Sequence, residues 1–317
     1  MRLGGPAKFV IEVESLDDVR DAYAFAEERE LPVYVLGGGS NIIGRDEGFD
    51  GVILVNRLLG IEDLGDGYFK GYGGEIFDEF IAFTTERGWS GMEAMSAVPG
   101  TLGAAPVQNV GAYGQEMSAV LFEVETYDSR ENTVVKFTTP EMKLGYRRSI
   151  FNYGADAGRY FIIAVTVKLS EKELAPPFYN SLQKYIDEHG VTDFSPNSIR
   201  RMVIEIRAKK LPDPNEVASA GSFFKNVYLD AEDAKRAEEK GIPVWPGGKV
   251  PSGWLIEHAG LKGREFFGFR VSDKAALILI NESATSYADL ARARQAISDA
   301  VREKFGLNLE QEPVEIG

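Results

Sequence analysis

The 317-residue chain contains no cysteine. Disulfides, thiolate metal sites, iron–sulfur clusters and cysteine nucleophiles are therefore excluded. Histidine is nearly absent as well. His189 and His258 are the only two, too few for a histidine-rich centre, and no metal site is expected. Positive charge is in deficit: 35 Lys and Arg stand against 49 Asp and Glu, for a formal charge of −14. Nucleic acid and anionic membranes both demand a basic field, so neither is expected as a partner. A small phosphorylated substrate stays open, because a local Lys/Arg cluster can override the global sign. No apolar run approaches the roughly 18 residues of a membrane span, and the N-terminus lacks a signal-peptide pattern. The expectation is a soluble, cytoplasmic, monomeric protein whose 44% hydrophobic content supports real cores.

What is abundant is glycine, and its placement is informative. Residues 91–116 hold Gly91, Gly100, Gly103, Gly111 and Gly114, two prolines, five alanines and the Gln108-Asn109 amide pair. There is too little periodic apolar content for a long helix or strand. Met92, Met95, Val98, Leu102, Val107, Val110 and Tyr113 run through the stretch, so it does not read as a linker either. Small side chains let backbone approach a flat ligand and present N–H donors to it. Amides supply both donors and acceptors to a heteroaromatic edge. A tightly wound structural loop is the alternative; a cofactor cradle is favoured.

The rest of the chain reads as short α/β elements. Strands are expected at 9–13, 32–36 and 52–55, with a helix over 17–29 behind a Ser15 N-cap. A helix candidate spans 77–87, and strands fit 122–127, 134–137 and 160–169. Residues 178–210 carry helical patterns broken near 194–196. Leu211-Pro212-Asp213-Pro214 is a sharp stop and the best boundary. Beyond it come a strand near 276–280, a long helix over 287–305, and a short acidic tail. The segments drawn are 1–56 and 57–211 for two cofactor-binding subdomains, 212–306 for a substrate-binding domain, and 307–317 for a tail returning to the site.

Several motifs carry candidate chemistry. Gly37-Gly38-Gly39-Ser40-Asn41 follows a strand but fails the dinucleotide fingerprint, and Arg45-Asp46 stands where a P-loop needs Lys and Ser/Thr. Its N–H groups can still face a phosphate, and two separate glycine loops suggest one elongated cofactor. Arg147, in Gly145-Tyr146-Arg147-Arg148, can clamp a carboxylate or phosphate with its planar fork, or form a surface ion pair. Ser222, in Gly221-Ser222-Phe223-Phe224-Lys225-Asn226, can donate a proton if Lys225 or a carboxylate supports it; otherwise it is a turn serine. Glu310 and Glu312 lie two apart, so an extended tail would point both to one face; otherwise the tail is a solvated end.

Taken together these stretches resemble the UDP-N-acetylenolpyruvoylglucosamine reductases, the MurB flavoenzymes of peptidoglycan precursor synthesis. The resemblance runs from Leu3-Gly4-Gly5-Pro6-Ala7 to Ile316-Gly317. It is carried by Leu36–Asn41, Pro99-Gly100-Thr101 through Gly111-Ala112-Tyr113-Gly114, Gly145-Tyr146-Arg147, Gly221–Asn226 and Gly253-Trp254-Leu255-Ile256. It implies an α+β chain with a PCMH/VAO-type two-subdomain FAD-binding module and a C-terminal α+β substrate-binding domain. In such enzymes NADPH reduces FAD, and UDP-N-acetylglucosamine enolpyruvate then takes hydride onto its methylene carbon. Carried over residue by residue, Ser222 is the proton donor, Arg147 polarises the substrate carboxylate, and Glu312 is the active-site glutamate by ungapped reading of the tail. Gly37, Gly38, Gly39, Ser40, Asn41, Pro99, Gly100, Thr101, Gln108, Asn109, Gly111, Ala112 and Tyr113 would line FAD. Tyr179, Lys210 and Asn226 would contact the nucleotide sugar. Two departures stand out: the Asn-Thr or Thr-Thr pair usual before Gly-Gly-Pro-Ala is missing, and Glu310-Gln311-Glu312-Pro313-Val314 displaces the proline of Glu-Pro-Glu-Val. A flavin oxidase of the same architecture and a non-catalytic flavin or UDP-sugar binder are the competing readings.

Overall fold

The computed structural model describes residues 1–213 and 216–317; of the proline-rich stop, Pro214 lies outside the described residues. The chain is a mixture of α-helices and mostly antiparallel sheets. It divides into two compact units. One comprises Ala7–Gly39 and Asp50–Lys209; the other gathers Met1–Pro6, Ser40–Phe49 and Lys210–Gly317.

The first unit is built on a five-stranded antiparallel sheet. Its strands, from one edge to the other, are Thr133–Thr138, Leu121–Asp128, Tyr160–Lys168, Tyr68–Tyr72 and Ile61–Gly65. Tyr160–Lys168 is central and buried on both faces. Phe161 and Ile163 join one core, whereas Ile162, Val165 and Val167 join the other. A register shift between Ile162 and Ala164 accounts for the break in strict alternation. On one side pack the Phe77–Thr85 helix, through Phe77, Phe80 and Ile81, and the glycine-rich stretch, through Met92, Met95 and Leu102. Against the other side lies a three-stranded sheet of Ala7–Val13, Phe49–Asn56 and Val33–Leu36, with the Leu16–Glu28 helix. Ser15 caps that helix by accepting from the Asp18 N–H, as its sequence position predicts. The helices Asn180–His189 and Pro196–Lys210 share a smaller core that includes Ala94.

The second unit centres on a four-stranded antiparallel sheet ordered Ser219–Ser222, Ile278–Asn281, Phe269–Val271, Glu265–Phe266. The Tyr287–Phe305 helix buries Leu290, Ala293, Ile297 and Val301, the i, i+3/i+4 spacing of one helical face. It begins at a Ser286 cap and ends at Gly306, whose φ of 73° is left-handed. The tail is a strand: Val314–Ile316 pairs in parallel with Ile42–Gly44, and Ile43 is fully buried in this unit's core. Among the described residues, no helix is long and apolar enough to cross a membrane.

Candidate active site

The two glycine loops meet in the first unit. A Cβ at Gly38 would lie 2.8 Å from the Gly100 Cα, and one at Gly37 would lie 2.5 Å from the Thr101 Oγ1. Neither position has room for a side chain, so backbone packs on backbone. Gly39 differs: its surroundings are open, but its φ of +67° favours glycine. Thr101 is buried, and its hydroxyl has no hydrogen-bond partner among the described residues. A buried orphan hydroxyl costs about 1–3 kcal/mol, which a ligand at this junction would offset. Ser40 and Asn41, next along the loop, fall in the second unit, where the Asn41 carbonyl accepts from the Val314 N–H at 3.0 Å.

The far end of the glycine-rich stretch is wound by strained turns. Gly111–Ala112 pairs with Gln115–Glu116, and the two connecting residues, Tyr113 and Gly114, have φ of 48° and 90°. Positive φ at both positions is the signature of a type I′ hairpin, where a tyrosine is costly. The Tyr113 ring lies edge-on to Tyr179, centroids 5.6 Å apart. Burial raises the Tyr113 hydroxyl above an ordinary phenol, although Arg207 pulls the other way. Sequence reasoning missed Arg207, whose Nε donates to the Ala97 carbonyl at 3.2 Å. Burial lowers that guanidinium, with Tyr113 acting against it. Nothing in Ile206-Arg207-Ala208 distinguishes it from a solvated helical arginine.

Asn109 ties this stretch to the Arg147 motif. It is buried in the left-handed region at φ 44°; its Oδ1 accepts from the Ser118 N–H at 2.9 Å and its Nδ2 donates to the Gly145 carbonyl at 3.4 Å. Gly145 and Arg148 exchange backbone bonds of 2.9 and 3.2 Å around Tyr146 and Arg147. Arg147 has φ 56°, a conformation that a β-turn's third position usually gives to glycine. The Ser149 hydroxyl donates to the Val107 carbonyl at 2.7 Å, and Asn152 donates to the Arg147 carbonyl at 3.3 Å. The turn that presents Arg147 is thus latched to the glycine-rich stretch.

In the second unit the tail comes back to the Ser222 motif. The Glu312 N–H donates to the Phe223 carbonyl at 2.9 Å, Lys225 N–H to the Glu310 carbonyl at 2.8 Å, and Phe224 bridges Gln311. Glu312 is therefore paired with Phe223, the residue that follows Ser222 in the chain. Gly221, at φ 69°, lies within the Ser219–Ser222 strand at its register shift and bends the chain just before Ser222. Lys225 is engaged by the Glu310 carboxylate, which is mostly exposed, while Glu312 is half-buried. Asn226 accepts from the Ser252 N–H at 3.1 Å. Lys210, at the end of its helix, is exposed, as is Tyr179. The second unit thus holds both Ser222 and Glu312, with the tail paired along Phe223–Lys225. Arg147, Tyr113, Tyr179 and most of the glycine loops belong to the first.

Known proteins resemble this chain over most of its length. A profile of the FAD binding domain matches residues 7–138, and one of the UDP-N-acetylenolpyruvoylglucosamine reductase C-terminal domain matches residues 213–316. The chain is 38% identical over 296 residues to the UDP-N-acetylenolpyruvoylglucosamine reductase of Burkholderia ambifaria, covering 90% of this chain and 84% of that one. The enzyme of the same name from Pseudomonas aeruginosa is 35% identical over 318 residues, with 97% and 93% covered. The crystal structure of the Thermus caldophilus MurB reductase matches with a TM-score of 0.67 over 97% of this chain and 92% of that one. At 22% identity this is a likeness of fold. On the strength of its curated relatives, the chain belongs to the UDP-N-acetylenolpyruvoylglucosamine reductase family.

Proposed function

We propose that the chain is an NADPH-dependent flavoenzyme that reduces the enolpyruvyl group of UDP-N-acetylglucosamine enolpyruvate, giving UDP-N-acetylmuramate for peptidoglycan synthesis. Both NADPH and the nucleotide sugar are soluble intracellular metabolites, so we place the reaction in the cytoplasm. The observation that supports the catalytic half of this reading is the return of the tail, whose Glu312 N–H bonds at 2.9 Å to the carbonyl of Phe223, the residue after Ser222. The fused glycine loops and the orphan Thr101 hydroxyl fit FAD. FAD held there would supply the hydride-transfer chemistry that links NADPH to the substrate's methylene carbon.

The residues then divide the remaining work. Hydride addition to an enol ether conjugated with a carboxylate builds enolate charge on that carboxylate. The Arg147 guanidinium, fixed by its turn, meets that charge as an oxyanion site does. Ser222 delivers the proton to the carbon bearing the carboxylate; a hydroxyl is a weak acid, so it works by position and by neighbouring charge. Glu312 is assigned to hydrogen-bond the developing enolate. Tyr179, Lys210 and Asn226 are assigned to the nucleotide sugar. The glycines of both loops, with Ser40, Asn41, Pro99, Thr101, Gln108, Asn109, Ala112 and Tyr113, are assigned to FAD.

Anaerobic stopped-flow spectroscopy tests the reading directly. NADPH should bleach the flavin of the reconstituted protein, and UDP-N-acetylglucosamine enolpyruvate should restore the oxidised spectrum. Recovery only on admitting oxygen would replace the reductase by an oxidase, and no bleaching at all would leave a flavin-binding protein.

The cradle makes its own prediction. In Gly38→Ala the new methyl meets Gly100 backbone, and overpacking of this kind costs about 1–3 kcal/mol. Thermal unfolding should fall by several degrees, and the flavin-to-protein ratio after gel filtration should drop at least severalfold. Wild-type values for both would mean that the close loop contact is not what forms the cradle.

A further inference from the structure

The Val314–Ile316 strand is only three residues long and has one strand partner, yet side chains hold it from several directions. One Glu315 oxygen accepts from Arg45 at 2.8 Å and the other from Arg294 at 2.6 Å. The Tyr287 hydroxyl adds a third hydrogen bond, and the Arg45 guanidinium lies over the Tyr287 ring at 5.1 Å. Burial by itself pushes the Glu315 carboxyl up, but the bonds from Tyr287, Arg45 and Arg294 outweigh it and hold it at about 2. Glu315 is therefore ionised at any pH near neutrality. Gln311 closes the other end. Its Oε1 accepts from the same Arg294 nitrogen at 2.7 Å, while its Nε2 donates to the Pro313 carbonyl at 2.8 Å and to Glu315 at 3.3 Å.

Residues 311–315 thus form a bow whose ends are joined by side chains, with Glu312 at its start. The main chain alone leaves a gap there. Pro313 is buried and has no N–H, so backbone donation jumps from Glu312, bonded to Phe223, to Val314, bonded to Asn41. Short paired strands have weakly specified register, and a one-residue slip turns every side chain to the opposite face.

We propose that Glu315, gripped by Arg45 and Arg294 and joined through Arg294 to Gln311, is a positioning residue that fixes the register of the tail and so keeps Glu312 paired with Phe223, next in the chain to Ser222. This rests on the assignment of Glu312 to the substrate-reduction step. Arg45 comes from residues 40–49 and Arg294 from the long helix, so the clamp joins two of the unit's three segments at the tail.

The test uses the full-length, flavin-loaded protein. Glu315→Ala should slow substrate-dependent flavin reoxidation by about tenfold, within the range that small misplacements of a reacting group produce. Flavin reduction by NADPH should be unchanged. Glu315→Gln, which keeps shape but loses charge, should slow the same step less and serves if the alanine variant folds poorly. In a Glu312→Gln background, Glu315→Ala should add less than a twofold effect, because there is no carboxylate left to position. Backbone hydrogen exchange supplies a readout independent of activity: the Glu312 and Val314 amides should exchange faster in Glu315→Ala, with the Tyr287–Phe305 helix unaltered. An unchanged reoxidation rate in both Glu315 variants, equal slowing of both half-reactions, or slowing that multiplies with Glu312→Gln would each overturn the proposal. If Glu312→Gln alone reoxidises at the wild-type rate, the assignment of Glu312 fails and the proposal with it; faster exchange at Glu312 would then still identify the clamp as structural.

Discussion

Ser222→Ala should leave reduction of the flavin by NADPH close to the wild-type rate while slowing substrate reduction by about 10²–10⁴-fold, the usual worth of a positioned proton donor. The asymmetry follows from where Ser222 stands. Its strand is fixed on one side by Ile278–Asn281 and on the other by the returning tail, with Phe223 and Phe224 buried behind it. Removing one oxygen from the half-buried Ser222 leaves that scaffold intact, so thermal unfolding should shift little. The glycine cradle lies in the other unit and should keep its flavin. Rapid-mixing absorbance of the two half-reactions, taken separately, decides the matter. Equal slowing of both, or a large fall in melting temperature, would make Ser222 a structural residue. A substitution that restores a hydroxyl, Ser222→Thr, should recover part of the lost rate only if the hydroxyl is what acts.

The parts of this site that were legible in the sequence are those written locally. The Tyr287–Phe305 helix announces itself through the Ser286 cap, its apolar face and Gly306. The glycine loops and the Ser222 motif stand out because their residue types are unusual at that density. What was not legible is non-local or conformational. Two glycine loops more than fifty residues apart gave no sign that Gly38 rests on Gly100. The sequence predicts a tail that returns to the site, but what anchors Val314-Glu315-Ile316 was not legible, because the cations that bind Glu315 come from positions 45 and 294. Sequence contiguity likewise assigns residues 40–49 to the strand and helix around them, whereas Ile42–Gly44 pairs with the tail and Ile43 is buried in the second unit. The Ile61–Gly65 and Tyr68–Tyr72 hairpin escaped notice because a charged, largely exposed edge strand has too few apolar positions to show alternation.

Arg147 shows most sharply how conformation hides from sequence, and it yields the second large effect expected. Nothing in Tyr146-Arg147-Arg148 signals a left-handed residue, yet Arg147 is held at φ 56° by the paired Gly145 and Arg148 backbones. An L-residue there costs about 1–2 kcal/mol that glycine would avoid. The fold tolerates that cost at a residue which the proposed reaction needs, a pattern typical of functional positions. Arg147→Lys keeps the charge and the strained backbone but loses the planar fork that meets a carboxylate in two bonds. Substrate reduction should fall by about 10²–10³-fold, the loss typical of removing one preorganised donor from an oxyanion site. Melting temperature and flavin reduction by NADPH should hardly move. Arg147→Gly should lose at least as much rate, while folding stability stays level or rises by up to about 1 kcal/mol; relief of strain is partly offset by the greater freedom of glycine in the unfolded chain. Urea unfolding and single-turnover reoxidation measured on the same two variants separate the terms. A lysine variant that retained most of its rate would reduce Arg147 to a point charge. A glycine variant that lost about 2 kcal/mol of stability or more would show that the arginine side chain holds the turn together, rather than the turn holding the arginine for the substrate.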